Sequence, residues 1–320
     1  MKKNNVAVVI GKYWLLFFTI VIFVVFSILR PNFARTSNII NIVASTCITA
    51  IAGMGLTSIM AAGEIDFSAG TQVSFSTVIM GLILSSRNFN SFFAAAVITI
   101  LIMLCVGGVN AIIHVKLKVP AFIATMGVSY LITGIAKRAT DGGSTIYRNV
   151  NWPANYTLLG QGRIGGVLPY SIIVLVIVSV IMYIFMERTK WGKSLYAVGS
   201  NPRACDLLGI SGAKQKTIGF LLCSLWSALA GIVLTSQLNM AGITVGSTML
   251  QSMTVLMLGS TFIKQGVYNI PGTLIASFLL QSIFYAMKMM GAGAWMEDLV
   301  QGVILVLSVA VVCIIRRKGT

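Results

Sequence analysis

Long charge-free apolar runs alternate with short polar punctuation along the whole chain. The runs are 13–29, 39–62, 67–84, 91–114, 121–136, 168–186, 217–237, 248–263, 272–286 and 299–315. A helix needs about 20 apolar residues to cross a hydrocarbon layer of about 30 Å. The pattern therefore predicts an all-α integral membrane protein with about ten transmembrane helices. Helices are expected because each satisfies its own backbone in lipid, and nothing in the pattern reads as a barrel. The runs beginning at 121, 248 and 272 are short and are expected to be broken or partly re-entrant. The run 13–29 follows a basic start like a secretory leader. It is long, lacks a small-residue cleavage site and ends at Arg30-Pro31, so a retained first span is expected.

Composition sharpens this picture. Of 320 residues, 57% are apolar and 9% charged, against about 25% charged in soluble domains. A net charge of +16 would suggest nucleic acid in a soluble protein. Here the basic residues sit between apolar runs, where they set topology, and no nucleic-acid partner is implied. With both termini in the cytoplasm, 15 of the 23 Lys and Arg residues lie inside and 8 outside. The chain reads as one transmembrane domain, 1–320, with a cytoplasmic loop at 188–216 and an external loop at 137–167. A faint echo joins two Gly-rich breaks, Gly63–Gly70 (GEIDFSAG) and Gly259–Gly272 (GSTFIKQGVYNIPG), each between tightly joined spans.

Little enzyme chemistry is on offer. No metal-ligand spacing or nucleophile motif occurs, and the five Cys form no paired motif. No cofactor is expected. Gly192-Lys193-Ser194 lacks the glycine and the strand of a phosphate loop, so any energy from ATP must come from a partner. His114 is expected as an interfacial anchor. Gly63, Glu64, Asp66, Ser68 and Gly70 gather two of the seven acidic residues beside a span. Acids in such places point to function, here an inner gate. Asp66 or Ser68 also suits capping of the following helix.

The loop 188–216 is the other outlier. It is basic, Gly-punctuated and flanked by spans. Within it Asn201 suits an N-cap, Pro202 the first turn and Gly209 a terminator, so a short helix is predicted. Arg203 and Asp206 supply charge, and Ala204, Leu207 and Leu208 an apolar face. Such a helix fits either the headgroups or a groove in a cytoplasmic partner.

The string AVGSNPRACDLLGISGAKQK, followed by a span containing Leu229-Ala230-Gly231, resembles the coupling region of ABC-importer permeases. The class is the ribose-type carbohydrate and branched-chain amino-acid permease superfamily. Asn32-Phe33 with Asn38 and Asn41-Ile42 agrees with it, as do GEIDFSAG and Pro271-Gly272-Thr273. Glu64 stands where the family pattern carries Gly. The resemblance implies a larger-type ABC importer architecture. It implies cytoplasmic ATPase subunits, a second permease subunit, an external solute-binding protein and a sugar substrate. It implies coupling to the ATPase through Asn201, Pro202, Arg203, Asp206, Leu207 and Gly209. An amino-acid or nucleoside permease and a self-sufficient secondary transporter stay open. Ser45, Thr46, Thr57, Gln237, Asn239 and Gln251 are polar residues within or beside spans that suit a path for a hydroxyl-rich solute. Tyr147, Trp152, Pro153 and Tyr156 of the external loop, near Arg148, suggest a docking surface for the binding protein.

Overall fold

The computed structural model describes residues 5–86, 91–142, 145–147, 152–243 and 247–319. Lys2, Lys3, Arg87 and Arg148, four of the 23 basic residues counted for topology, lie outside the described residues, as does part of the loop 137–167. Each apolar run coincides with a helix. The chain begins with α1 (Asn5–Leu29), α2 (Thr36–Ala61), α3 (Ala69–Ser85) and α4 (Phe92–Ala111). A π-helical turn, Ile112–Lys116, leads into α5 (Ala121–Ala139). Then come α6 (Leu158–Gln161), α7 (Tyr170–Arg188), α8 (Lys190–Ser200) and α9 (Pro202–Leu207). The chain continues through α10 (Gly212–Leu238), α11 (Ser247–Gly259), α12 (Ile270–Met289) and α13 (Ala294–Gly319).

Among the described residues, seven helices are long and apolar enough to cross a membrane: α1, α2, α4 with its π-turn, α7, α10, α12 and α13. α3 and α11 are apolar but shorter. α5 has the length, but Lys137 and Arg138 at its end make it less apolar. The run at 272 is no fragment. Asn269 caps it, and the helix extends to 20 residues.

α10 forms the centre and packs on α2, α3 and α4. Its apolar window is 67% buried, whereas that of α1 is 11% buried. Lipid gives no hydrophobic drive between spans, so small residues that admit close backbone contact take over. A Cβ on Gly231 of α10 would stand 2.5 Å from the Val73 carbonyl oxygen, and one on Gly107 of α4 would stand 2.5 Å from Ser224 Oγ. Buried polar side chains add cross-links. Gln281 Nε2 donates to Thr49 Oγ1 at 2.8 Å, and Tyr285 Oη donates to Asn38 Oδ1 at 2.8 Å.

Within the all-α architecture, the described residues also include four short strands. β1 (Thr145–Tyr147) pairs antiparallel with β4 (Met240–Gly242), setting Ile146 opposite Ala241. β2 (Arg163–Ile164) and β3 (Leu168–Pro169) form a small hairpin. Connections between spans must pair their backbone groups somewhere, and these segments pair with each other.

Candidate functional site

The predicted short helix is α9. Asn201 Oδ1 accepts from the Ala204 N–H at 3.0 Å, and Pro202 opens the first turn. The far end closes with the Ile210 N–H on the Cys205 carbonyl at 2.9 Å and the Gly209 N–H on the Asp206 carbonyl at 3.1 Å. This closure needs a left-handed residue, and Gly209 supplies it with φ of 75°. The six-residue helix is thus fixed at both ends. Its packing differs from the expected apolar face. Cys205 turns inward and is buried, while Leu207 and Leu208 are 90% and 77% exposed. Arg203 and Asp206 are exposed beside them. Ala204 is half-buried, so the two leucines form a tip and not a continuous stripe.

α8 precedes α9 and is not legible as a helix in the sequence. Thr189 Oγ1 caps it by accepting from the Gly192 N–H at 3.1 Å, and Gly192, Leu195 and Val198 bury one side. This helix touches both Gly-rich breaks. Gly199 lies so close to the first that a Cβ there would collide with the Ala61 carbonyl oxygen. Tyr196 Oη donates to the Tyr268 carbonyl of the second at 2.7 Å. Burial, and secondarily the Glu187 carboxylate, holds that phenol above its usual range, which keeps it a donor. The two breaks and α8 surround a cavity of about 720 Å³ lined by Gly63, Glu64, Gly199 and Tyr268 among others.

In the first break, residues 62–68, the two carboxylates have separate surroundings. Glu64 Oε1 lies 2.6 Å from Lys216 Nζ near the start of α10 and 3.3 Å from His114 Nε2 in the π-turn. His114 Nδ1 faces the Val119 carbonyl at 2.8 Å. His114, expected as an interfacial anchor, thus has its ring between the Glu64 carboxylate and the Val119 carbonyl. Asp66 is fully buried. Its Oδ1 accepts from the Ser68 N–H at 2.8 Å and from Ser68 Oγ at 2.5 Å. Gln72 and Asn110 donate to Ser68 Oγ at 2.7 and 2.8 Å. Ser68 stands at the N-cap of α3, but its side chain makes no capping bond. It is the Asp66 carboxylate that fixes the cap residue. Burial raises the Asp66 carboxyl above its usual range, against the opposing bonds from Ser68 and Gln72. Gly63 takes a φ of 88°, and Gly70 lies against the backbone of Met249.

The second break, residues 260–269, is organised by Asn269, which the sequence reading did not single out. Its Nδ2 points at the carbonyls of Gly259, Phe262 and Val267 at 3.3, 2.9 and 3.0 Å. Its Oδ1 accepts from the Gly272 N–H at 2.8 Å and so caps α12. The signal is present in the chain: an Asn just before Ile270-Pro271 is a cap followed by a first-turn proline.

The polar residues nominated for a path lie on α2, α10 and α11, with Asn239 just past α10. Thr46 and Thr57 are buried and return their hydroxyls to their own helix, at the Ile42 and Gly53 carbonyls. Gln237 Nε2 fastens α10 to the Ala44 carbonyl at 3.0 Å. Asn239 ends α10 in a left-handed conformation and accepts from Tyr156 Oη. Ser45 and Gln251 are half-buried on α2 and α11. None of the six lines the cavity beside α8. The aromatic docking surface is corrected: Trp152 and Tyr156 are 3% and 0% exposed. Trp152 Nε1 donates to Ser85 Oγ at 2.9 Å, and the two rings meet edge to face. An indole or phenol buries well once its polar tip has a partner, as both do here.

A family profile described as branched-chain amino acid transport system / permease component matches residues 38–309. The ribose import permease protein of Escherichia coli K12 is 30% identical over 295 residues, covering 91% of this chain and 90% of that protein. The ribose import permease protein of Bacillus subtilis is 28% identical, covering 90% and 88%. The galactose/methyl galactoside import permease protein of Haemophilus influenzae is 26% identical, covering 88% of each. No solved structure matches the chain. A helical membrane fold with a rigid, outward-pointing α9, matched along most of its length by these permeases, belongs to the branched-chain amino acid transport system permease family, and the protein is a permease subunit of an ABC importer.

Proposed function

We propose that this chain carries a small sugar across the cell membrane, receiving it from an external solute-binding protein and driven by cytoplasmic ATPase subunits. Two permease subunits, identical or related, would enclose the path. The end bearing α9 is the cytoplasmic one, both termini lie on that side, and α3, α5 and α11 complete about ten membrane-embedded helices. The observation that carries this reading is the pair Leu207 and Leu208, exposed at the tip of a helix fixed at both ends. Apolar side chains held rigidly in that way suit a groove in a partner, since ordering is already complete before contact. Closure of the ATPase pair on ATP would push α9, and α8 would pass the motion to both breaks. The sugar assignment draws on the ribose and galactose relatives. Branched-chain amino acids are the second reading, from the description of the family itself.

Affinity capture of the chain from its native membrane tests this. Expected is a co-purifying ATPase whose recovery L207S/L208S lowers by at least about tenfold, the loss of roughly 1.4 kcal/mol of contact. Unchanged capture would remove α9 as the docking element. Competition of ribose against leucine for the cognate binding protein separates the two solute classes.

A further inference from the structure

We infer that Glu64 is a positioning residue that latches the first break to the coupling region and holds this end of the permease closed between turnovers. The inference rests on the importer reading above and adds to it a named transmission contact. Glu64 joins three elements through one carboxylate oxygen: the break itself, Lys216 of α10 and His114 after α4. Only four residues, 208–211, separate α9 from α10, and Ser211 caps α10 through the Lys214 N–H. A displacement of α9 therefore pulls on the turn that carries Lys216.

The setting suits a contact that opens and closes. Glu64, Lys216 and His114 are 21%, 25% and 13% exposed. Fully exposed pairs hold too weakly to transmit a push, and fully buried pairs are too costly to separate. This pair lies between two cavities. Glu64 lines the one of about 720 Å³, while Lys216 and His114 line a second of about 510 Å³ beside Pro202 and Asp206 of α9. Water can reach the charges from either side when they part. Asp66, two residues on, is fully buried and bonded to Ser68, so it does not share this role.

The test uses the full chain in lipid nanodiscs, with and without its captured ATPase subunits. E64Q should raise amide hydrogen exchange in 62–68 by about fivefold, and raise solute-independent ATP hydrolysis of the complex by a similar factor, the lower end of couplings between sites. The charge-reversed E64K/K216E should return both to within about twofold of wild type. The pair keeps its attraction with the signs exchanged, and His114 Nε2 can accept from an ammonium at position 64. Wild-type exchange in E64Q, or failure of the reversed pair to restore protection, overturns the latch. Absence of an ATPase from the wild-type complex would sink the importer reading instead, and the exchange result would still decide the latch.

Discussion

The two Gly-rich breaks do the same architectural work by different chemistry. The first is held by an ion pair, Glu64 with groups on two other elements, beside a buried hydrogen-bonded cluster around Asp66. The second is held by one neutral amide, Asn269, which gathers three carbonyls and caps the next helix. Ion pairs at a wet boundary separate and re-form at modest cost, whereas a buried amide that loses its partners leaves several groups unsatisfied. The first break is therefore built to be released and the second to stay. α8 spans both, with Gly199 against one and Tyr196 on the other. A push arriving through it would turn about the second break and open the first.

The comparison is tested hardest at Asn269. N269A should lower stability by about 3 kcal/mol, because it removes a cap and strands buried carbonyls. A fall in Tm of the detergent-solubilised chain much larger than that of E64Q is expected. Equal losses would erase the contrast. Next, G199V should cost about 2 kcal/mol, since a side chain there meets the Ala61 carbonyl. Its signature should be faster exchange in 62–68 while α12 stays protected. Exchange rising in both breaks together would mean that α8 does not distinguish them.

The smallest effect is expected at Asp66, with opposite sign. Burial raises its pKa on folding, so the native chain holds that proton more tightly than the unfolded one. Its favourable contribution is present below the usual aspartate range and is lost as pH rises through the folded value. At neutral pH D66N should therefore gain about 1 kcal/mol, and the gain should shrink on acidification. Gln72 Oε1, which lacks a partner among the described residues, can turn to accept from the new amide. A lower Tm for D66N at neutral pH would show instead that the cluster needs the charge.

Much of this is legible in the sequence because hydrophobic length is a local signal. Every apolar run forms a helix, and Asn201, Pro202 and Gly209 take their expected places at the ends of α9. What stays hidden is partnership over distance. Glu64 and Lys216 are separated by 152 positions, and Trp152 finds Ser85 across 67. An aromatic residue in a loop has the same local pattern whether it faces water or folds inward, so the direction of Trp152 and Tyr156 does not show. α8 escapes notice because its buried positions, Gly192, Leu195 and Val198, lie in a basic stretch with glycines at both ends. The nominated path residues rest on polarity alone. Polarity inside a membrane serves helix fastening as readily as solute contact, as Gln237 and Asn239 illustrate.

The exposed tip of α9 also bears on the life of the chain before assembly. A subunit that has inserted but not yet met its partner displays Leu207 and Leu208 as an adhesive spot beside a basic surface. Cellular quality control samples such spots, so with the docking role proposed above an orphan subunit would be open to chaperone capture and proteolysis until a partner covers the tip. Abundance of the permease would then follow the supply of its partner.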